Sequence, residues 1–149
     1  MKSIHANNPS GEAERAIRLQ FGKHGSRADI PLMTAKTFKA VPVVGGIEVD
    51  NLGKNSFLSW LVFEEVLLLL KRERGTALRG NAMGFRLGES GLPLNSVEGH
   101  IAATIFGKVP GDTVFRRISP VAAIMVWADL CKPGRGTLSL RTHYMASDV

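Results

Sequence analysis

A single cysteine, Cys131, stands in 149 residues, so no internal disulfide can form. No second Cys or His lies beside it at the spacing of a structural metal site. The expectation is a protein of a reducing cytoplasm. A long greasy run is missing as well. The longest one, "FLSWLVFEEVLLLLK", is broken by Glu64 and Glu65 and falls short of the roughly 20 residues that span a bilayer. It predicts a buried helix and no membrane partner. The opening "MKSIHANNPSGEAERAIRLQ" has no apolar stretch behind its first lysine and does not resemble an export signal. Neither a phosphate-cradling Gly-x-x-x-x-Gly-Lys-Ser/Thr loop nor a Gly-x-Gly-x-x-Gly turn occurs; Gly75, Gly80, Gly84, Gly88 and Gly91 fit neither spacing. No cofactor is expected.

What is present is an excess of cations. The chain has 19 Lys and Arg against 13 Asp and Glu, a net charge of +6 and a pI near 9.9. Such a balance draws polyanions by long-range attraction, nucleic acid above all. With 44% hydrophobic and 21% charged residues, the length suits one domain over residues 1–149 with a core of its own.

Residues 1–31 are polar and punctuated by Asn7, Asn8, Pro9, Gly22 and Gly25, which predicts a loosely ordered arm. Within it "GEAERAIRLQF" can form a short helix presenting Ala16, Leu19 and Gln20. From Thr37, "TFKAVPVVGGIEVD" sets two β-branched runs around Gly45 and Gly46, the pattern of a β-hairpin. Pro42 cannot donate to a ladder and assigns its strand to an edge. Ser56 then reads as the N-cap of a buried central helix reaching Arg74, with Gly75 as its stop.

The glycine-rich stretch from Gly75 to Asn95 predicts turns and short extended pieces. Asn95, followed by Glu98, resembles a capping box for a helix that Gly107 ends. Asp112 or Thr113 can cap a short helix over "VFRRI", and Ser119 with Pro120 can start another as N-cap and first helical residue, running to about Cys131. "KPGRGTLSLRTHYM" then turns into a strand that buries Leu138 and Leu140.

The order helix, short helix, helix, basic hairpin across residues 95–142 resembles a winged helix-turn-helix module, by element order and not by a residue signature. The expected fold class is thus α+β: an N-terminal β-hairpin, a buried central helix and a C-terminal helical part of winged-helix type. The resemblance implies double-stranded DNA as partner, with the third helix in the major groove and the wing on the backbone. The third helix, "PVAAIMVWADLC", argues against that groove contact, because reading base edges takes Arg, Lys, Asn or Gln. Core or subunit interface is its favoured role, with Val121, Ile124, Met125 and Ala128 on one face.

Phosphate contacts are therefore expected from the flanking residues: Arg116, Arg117 and Ser119 before and at that helix, Lys132, Arg135 and Arg141 around the wing, and Arg79 and Arg86 upstream. Solvated surface charge is the competing reading of these arginines. The function expected is non-enzymatic DNA binding, of a regulatory kind. A protein-interaction or homodimer module, using the Phe57–Leu70 or Pro120–Cys131 helix, is the alternative. A metal-dependent nuclease is the third, with Glu48 and Asp50 on one strand face near Lys54, although their spacing departs from the common Asp and Glu-x-Lys nuclease pattern. Glu98 and His100 fall on different sides of a helix, which argues against a metal pair and leaves His100 a structural or surface residue. Cys131, near a helix C-terminus, is a poor thiolate.

Overall fold

The computed structural model describes residues 11–145. Its class is α+β: two antiparallel sheets with helices packed on and between them. The N-terminal sheet is a meander of β1 (Ala28–Pro31), β2 (Thr37–Val43), β3 (Gly46–Val49) and β4 (Phe57–Ser59), in that order. Alternation decides which face is buried. Ile30 pairs with Phe38, Ala40 with both Ala28 and Val49, and Ile47 with Leu58, so that all these side chains enter the core from one side. The hairpin turn falls at Val44 and Gly45, one residue earlier than the glycine pair suggests. Gly45 alone takes a positive φ, +83°, while Gly46 enters β3. β2 is interior and not an edge, but Pro42 lies beyond the last β1 partner, Ala28 opposite Ala40, so one flank of the strand is locally open there.

Helix α1 (Glu12–Gly22) lies within the segment expected to be a loose arm. It buries Ala13, Ile17 and Phe21 in the main core and leaves Leu19 exposed, so its inner face is turned from the one read off the sequence. Residues 1–10 of that arm lie outside the described residues. The central helix, α2 (Trp60–Arg72), is shorter than expected. Ser59, not Ser56, caps it, with its hydroxyl accepting from the Leu61 N–H at 3.0 Å. Phe57 and Leu58 are taken into β4 because β3 offers them a ladder. Phe63, Val66, Leu69 and Leu70 are fully buried, each contributing on the order of 1.5–3 kcal/mol. Leu61 and Leu68 remain more than half exposed, so α2 has one uncovered stripe.

β5 (Thr76–Leu78) belongs to the second sheet, whose order is β5, β7 (Thr137–Leu140), β6 (Cys131–Gly134). Helix α3 (Val97–Thr104) packs on α2, and helix α4 (Ile118–Trp127) packs against β6, β1 and α1. A four-residue helix, α5 (Thr142–Met145), follows β7. The loops on either side of α3, residues 79–96 and 105–117, are pinned to it by a small separate cluster of Leu87, Leu92, Ala102 and Val114.

Two expected starts differ. Ser96, not Asn95, caps α3, accepting from the Gly99 N–H at 3.1 Å. No helix covers 112–117, and α4 begins at Ile118 without a side-chain cap of its own, so that Ser119 lies inside its first turn and does not cap it. Pro120 sits inside the first turn of α4, where its missing N–H leaves no bond unmade. α4 stops at Trp127, and Cys131 opens β6 instead of closing the helix. No helix of the described residues is long and apolar enough to cross a membrane.

Candidate functional site

The site is organised by Glu98, which is fully buried. Its backbone N–H donates to the Arg79 carbonyl at 2.9 Å. Its carboxylate accepts from the Arg117 N–H at 2.9 and 3.1 Å and from the Ile118 N–H at 2.8 Å. One residue thereby ties down the two segments that carry the arginines, and it supplies the N-terminal cap that α4 lacks. Burial raises the Glu98 carboxyl above its ordinary range; the hydrogen bonds from Ile118 and Arg117, and the charges of Arg117 and Arg116, pull the other way.

Residues 112–117 form a stretch without regular secondary structure, and its two arginines line different grooves. Arg116 lines a cleft of about 780 Å³ together with Arg79 and Ser119. The walls come from the loop after β1 (Leu32, Met33, Thr34), the turn after β3 (Asn51, Leu52), the outer side of α4 (Ala122, Ala123, Val126) and Pro133 of β6. They are mainly apolar. Arg79 continues β5 past the tip of the β6–β7 hairpin, where its N–H donates to the Gly136 carbonyl at 2.9 Å. Its Nη1 is buried and has no hydrogen-bond acceptor among the described residues. Burial, then the facing charge of Arg116, hold Arg79 below the ordinary arginine value. The cleft thus brings together two like charges, with no carboxylate among its lining residues.

Arg117 lines a second groove of about 580 Å³ with Phe106, Lys108 and Thr113. Its guanidinium lies 3.7 Å from the centroid of the Phe106 ring and 4.8 Å from that of Phe115, within cation–π range. Phe115 borders both grooves.

The other expected contacts do not line either groove. Arg86 donates from Nη1 to the Gly111 carbonyl at 3.2 Å and clasps its own loop. Arg141 lies 3.1 Å from Asp129. Lys132 and Arg135 are exposed on the β6–β7 hairpin, with Pro133 between them reaching the first cleft. Of the eight residues expected, Arg79, Arg116 and Ser119 converge, and Arg117 stands next door. Phe115, Phe106, Lys108 and the organising carboxylate of Glu98 escaped the sequence reading. The signal for Phe115 was its place directly before the arginine pair, since rings interleaved with cations are what nucleic acid uses.

Glu48 and Asp50 are engaged within the meander: Glu48 accepts from the Ser56 hydroxyl at 3.0 Å and Asp50 from the Lys39 N–H at 2.9 Å. Among the described residues no group of three or more His, Cys, Asp or Glu could hold a metal. His100 is nearly buried and meets Glu65 at 2.9 Å, a structural pairing between α3 and α2. Burial pushes the Cys131 thiol up to about 12, so it is inert for a different reason from the helix end proposed for it. Comparison of the chain with protein-family models, curated proteins and solved structures finds no match.

Proposed function

We propose that this chain is a non-enzymatic nucleic-acid-binding protein that holds phosphate through Arg79 and Arg116, with the Ser119 hydroxyl beside them. The observation that carries the reading is that Arg79, whose Nη1 is buried without an acceptor among the described residues, lines one cleft together with Arg116. A guanidinium donor left unmade in a partly dry site is costly, and a second cation beside it adds repulsion. A phosphate oxygen would relieve both, in the paired geometry arginine offers. Lys132 and Arg135 extend the positive surface along the hairpin.

Of the winged-helix resemblance, the step from α4 into the β6–β7 hairpin is what supports the reading. Base recognition by α4 is not part of the proposal, because its Val121, Ala122, Ile124 and Met125 are in the core. The test is fluorescence anisotropy with labelled DNA at two salt concentrations. Each phosphate neutralised steepens the salt dependence by about 0.9 in log–log slope, so Arg116→Gln lowers the slope by about 1. Absence of binding at low salt overturns the proposal.

A second reading, self-association, is favoured by one observation: Leu61 and Leu68, two turns apart on α2, are 62% and 57% exposed. The alternative surface on the Pro120–Cys131 segment is unsuited, since Met125 is fully buried and Trp127 packs edge-on to Phe21 at 4.9 Å. Sedimentation decides it. A dimer that Leu61→Glu dissociates supports this reading, and a monomer in the unmodified protein rejects it.

A further inference from the structure

We infer that the cleft between Arg79 and Phe115 takes an unpaired nucleotide, so that the protein selects single-stranded over duplex nucleic acid. The inference rests on the phosphate-binding reading above and specifies what enters with the phosphate.

The shape and the lining of the cleft both separate the two kinds of strand. A duplex presents phosphates on a convex surface with its bases stacked inside, and nothing apolar on it can reach into a concavity. The cleft is concave, and its volume of about 780 Å³ falls within the roughly 300–1,000 Å³ of sites that enclose small molecules. Met33, Leu52, Ala122 and Val126 give it apolar walls that phosphate alone would leave unused. An unpaired base uses them. Thr34 and Asn51 add polar atoms at the same walls, suited to the edge of a base.

The surroundings continue the pattern. Phe115, 41% exposed, stands between the cleft and the second groove, where Arg117, Phe106 and Lys108 follow. Cations and rings are therefore interspersed over the two grooves that share Phe115: Arg79 and Arg116 line the first, Arg117, Phe106 and Lys108 the second. Such a mixture matches a single strand, whose phosphates meet cations while its bases stack on rings. Single strands of DNA and of RNA share this chemistry.

The test compares labelled oligo-dT and oligo-rU of about 12 nucleotides with a duplex of equal length, by anisotropy at low salt. The expected result is that at least one single strand binds at least about tenfold tighter than the duplex, the better of the two identifying the sugar preferred. Phe115→Ala is expected to weaken single-strand binding by about 5- to 100-fold and duplex binding by less. Duplex binding as tight as that of both single strands, or an equal loss for both forms in Phe115→Ala, overturns the inference and leaves the phosphate reading standing. No binding to any of the three overturns both. If circular dichroism shows Phe115→Ala unfolded, Met33→Ala at the exposed rim makes the same comparison, since it removes apolar wall that only an unpaired base would use and is read by the same outcomes.

Discussion

The Glu98 carboxylate sits at the head of the helix that begins at Ile118, with Oε1 2.8 Å from the Ile118 nitrogen. The two residues come from different helices, and neither helix is placed without the other. α3 needs Ser96 for its own start and spends Glu98 on α4, whose first residues offer no side-chain cap. The same device recurs at the other end of the molecule. Glu64 of α2 accepts from the Ala13 and Glu14 N–H groups at 3.1 and 2.8 Å and so caps α1. Two helices begin on carboxylates borrowed from neighbours, which makes their position a property of tertiary packing.

Removal of the first of these caps has a large expected cost. Glu98→Ala leaves two buried N–H groups without their acceptor and opens a void in a filled position. Each unmade bond costs about 1–3 kcal/mol, so the variant is expected to lose about 2–4 kcal/mol of unfolding free energy in urea titration. A loss below about 0.5 kcal/mol, the scale of an ordinary surface change, would mean that the cap contributes little.

The pH dependence follows from the direction of the Glu98 shift. Burial raises its carboxyl in the folded state above the ordinary value of 4.5. Between those two values the folded chain holds a proton that the unfolded chain has released, so stability falls as pH rises through that window. The contribution is fully present below the unfolded-state value and lost above the folded-state one. Glu98→Gln has no such group. The unfolding free energy of the natural chain minus that of Glu98→Gln, measured from about pH 4 to about pH 8, should therefore decline with pH. A difference that rises instead would show that the hydrogen bonds to the ionised form outweigh burial.

These long-range caps also explain what could and could not be read in the chain. The density of apolar residues from Trp60 to Leu70 announced a core helix, and "PVAAIMVW" announced a buried one, because burial on several sides leaves its mark on every residue of a segment. The starts were misplaced where a distant partner decides them. Ser56 looks like an N-cap until β3 draws Phe57 and Leu58 into a ladder, and Ser59 takes over. Glu98 looks like the local partner of Asn95, yet its carboxylate is committed nineteen residues away in sequence, at Arg117. "VFRRI" has the composition of a short helix, but its Arg117 N–H is bound by Glu98 at the head of α4 and no helix precedes that point. The cleft was illegible for a related reason. Its walls come from segments around residues 32, 52, 79, 116, 122 and 133, which no local pattern connects.

A steric argument makes the second carboxylate cap testable. Gly11, the N-cap residue of α1, lies so close to Glu64 that an added Cβ would overlap the carboxylate. Its φ of −63° is open to any residue, so an added side chain meets only the movable end of Glu64. Gly11→Ala is expected to displace Glu64 and to cost about 1 kcal/mol, the scale of a lost helix cap. Hydrogen exchange at the Ala13 and Glu14 amides should accelerate relative to the Val66 amide in the centre of α2. Unchanged protection at Ala13 and Glu14 would mean that the carboxylate finds another route to the helix end.

Arg116 separates a binding role from a structural one. It is exposed, makes no ion pair among the described residues, and faces Arg79 in the cleft. A structural arginine would lower stability when neutralised. Here almost no change is expected, because Arg116→Gln removes both a repulsion felt by the partly buried Arg79 and an attraction felt by the Glu98 carboxylate. Solvent screening limits the net effect to about 0.5 kcal/mol in either direction. Nucleic-acid affinity should fall in the same variant, with the shallower salt dependence expected of one lost phosphate contact. Both changes are read on a single protein preparation, by thermal unfolding and by anisotropy. Stability and affinity falling together would assign Arg116 to the scaffold; stability held or raised while affinity falls places its charge in the cleft for a ligand.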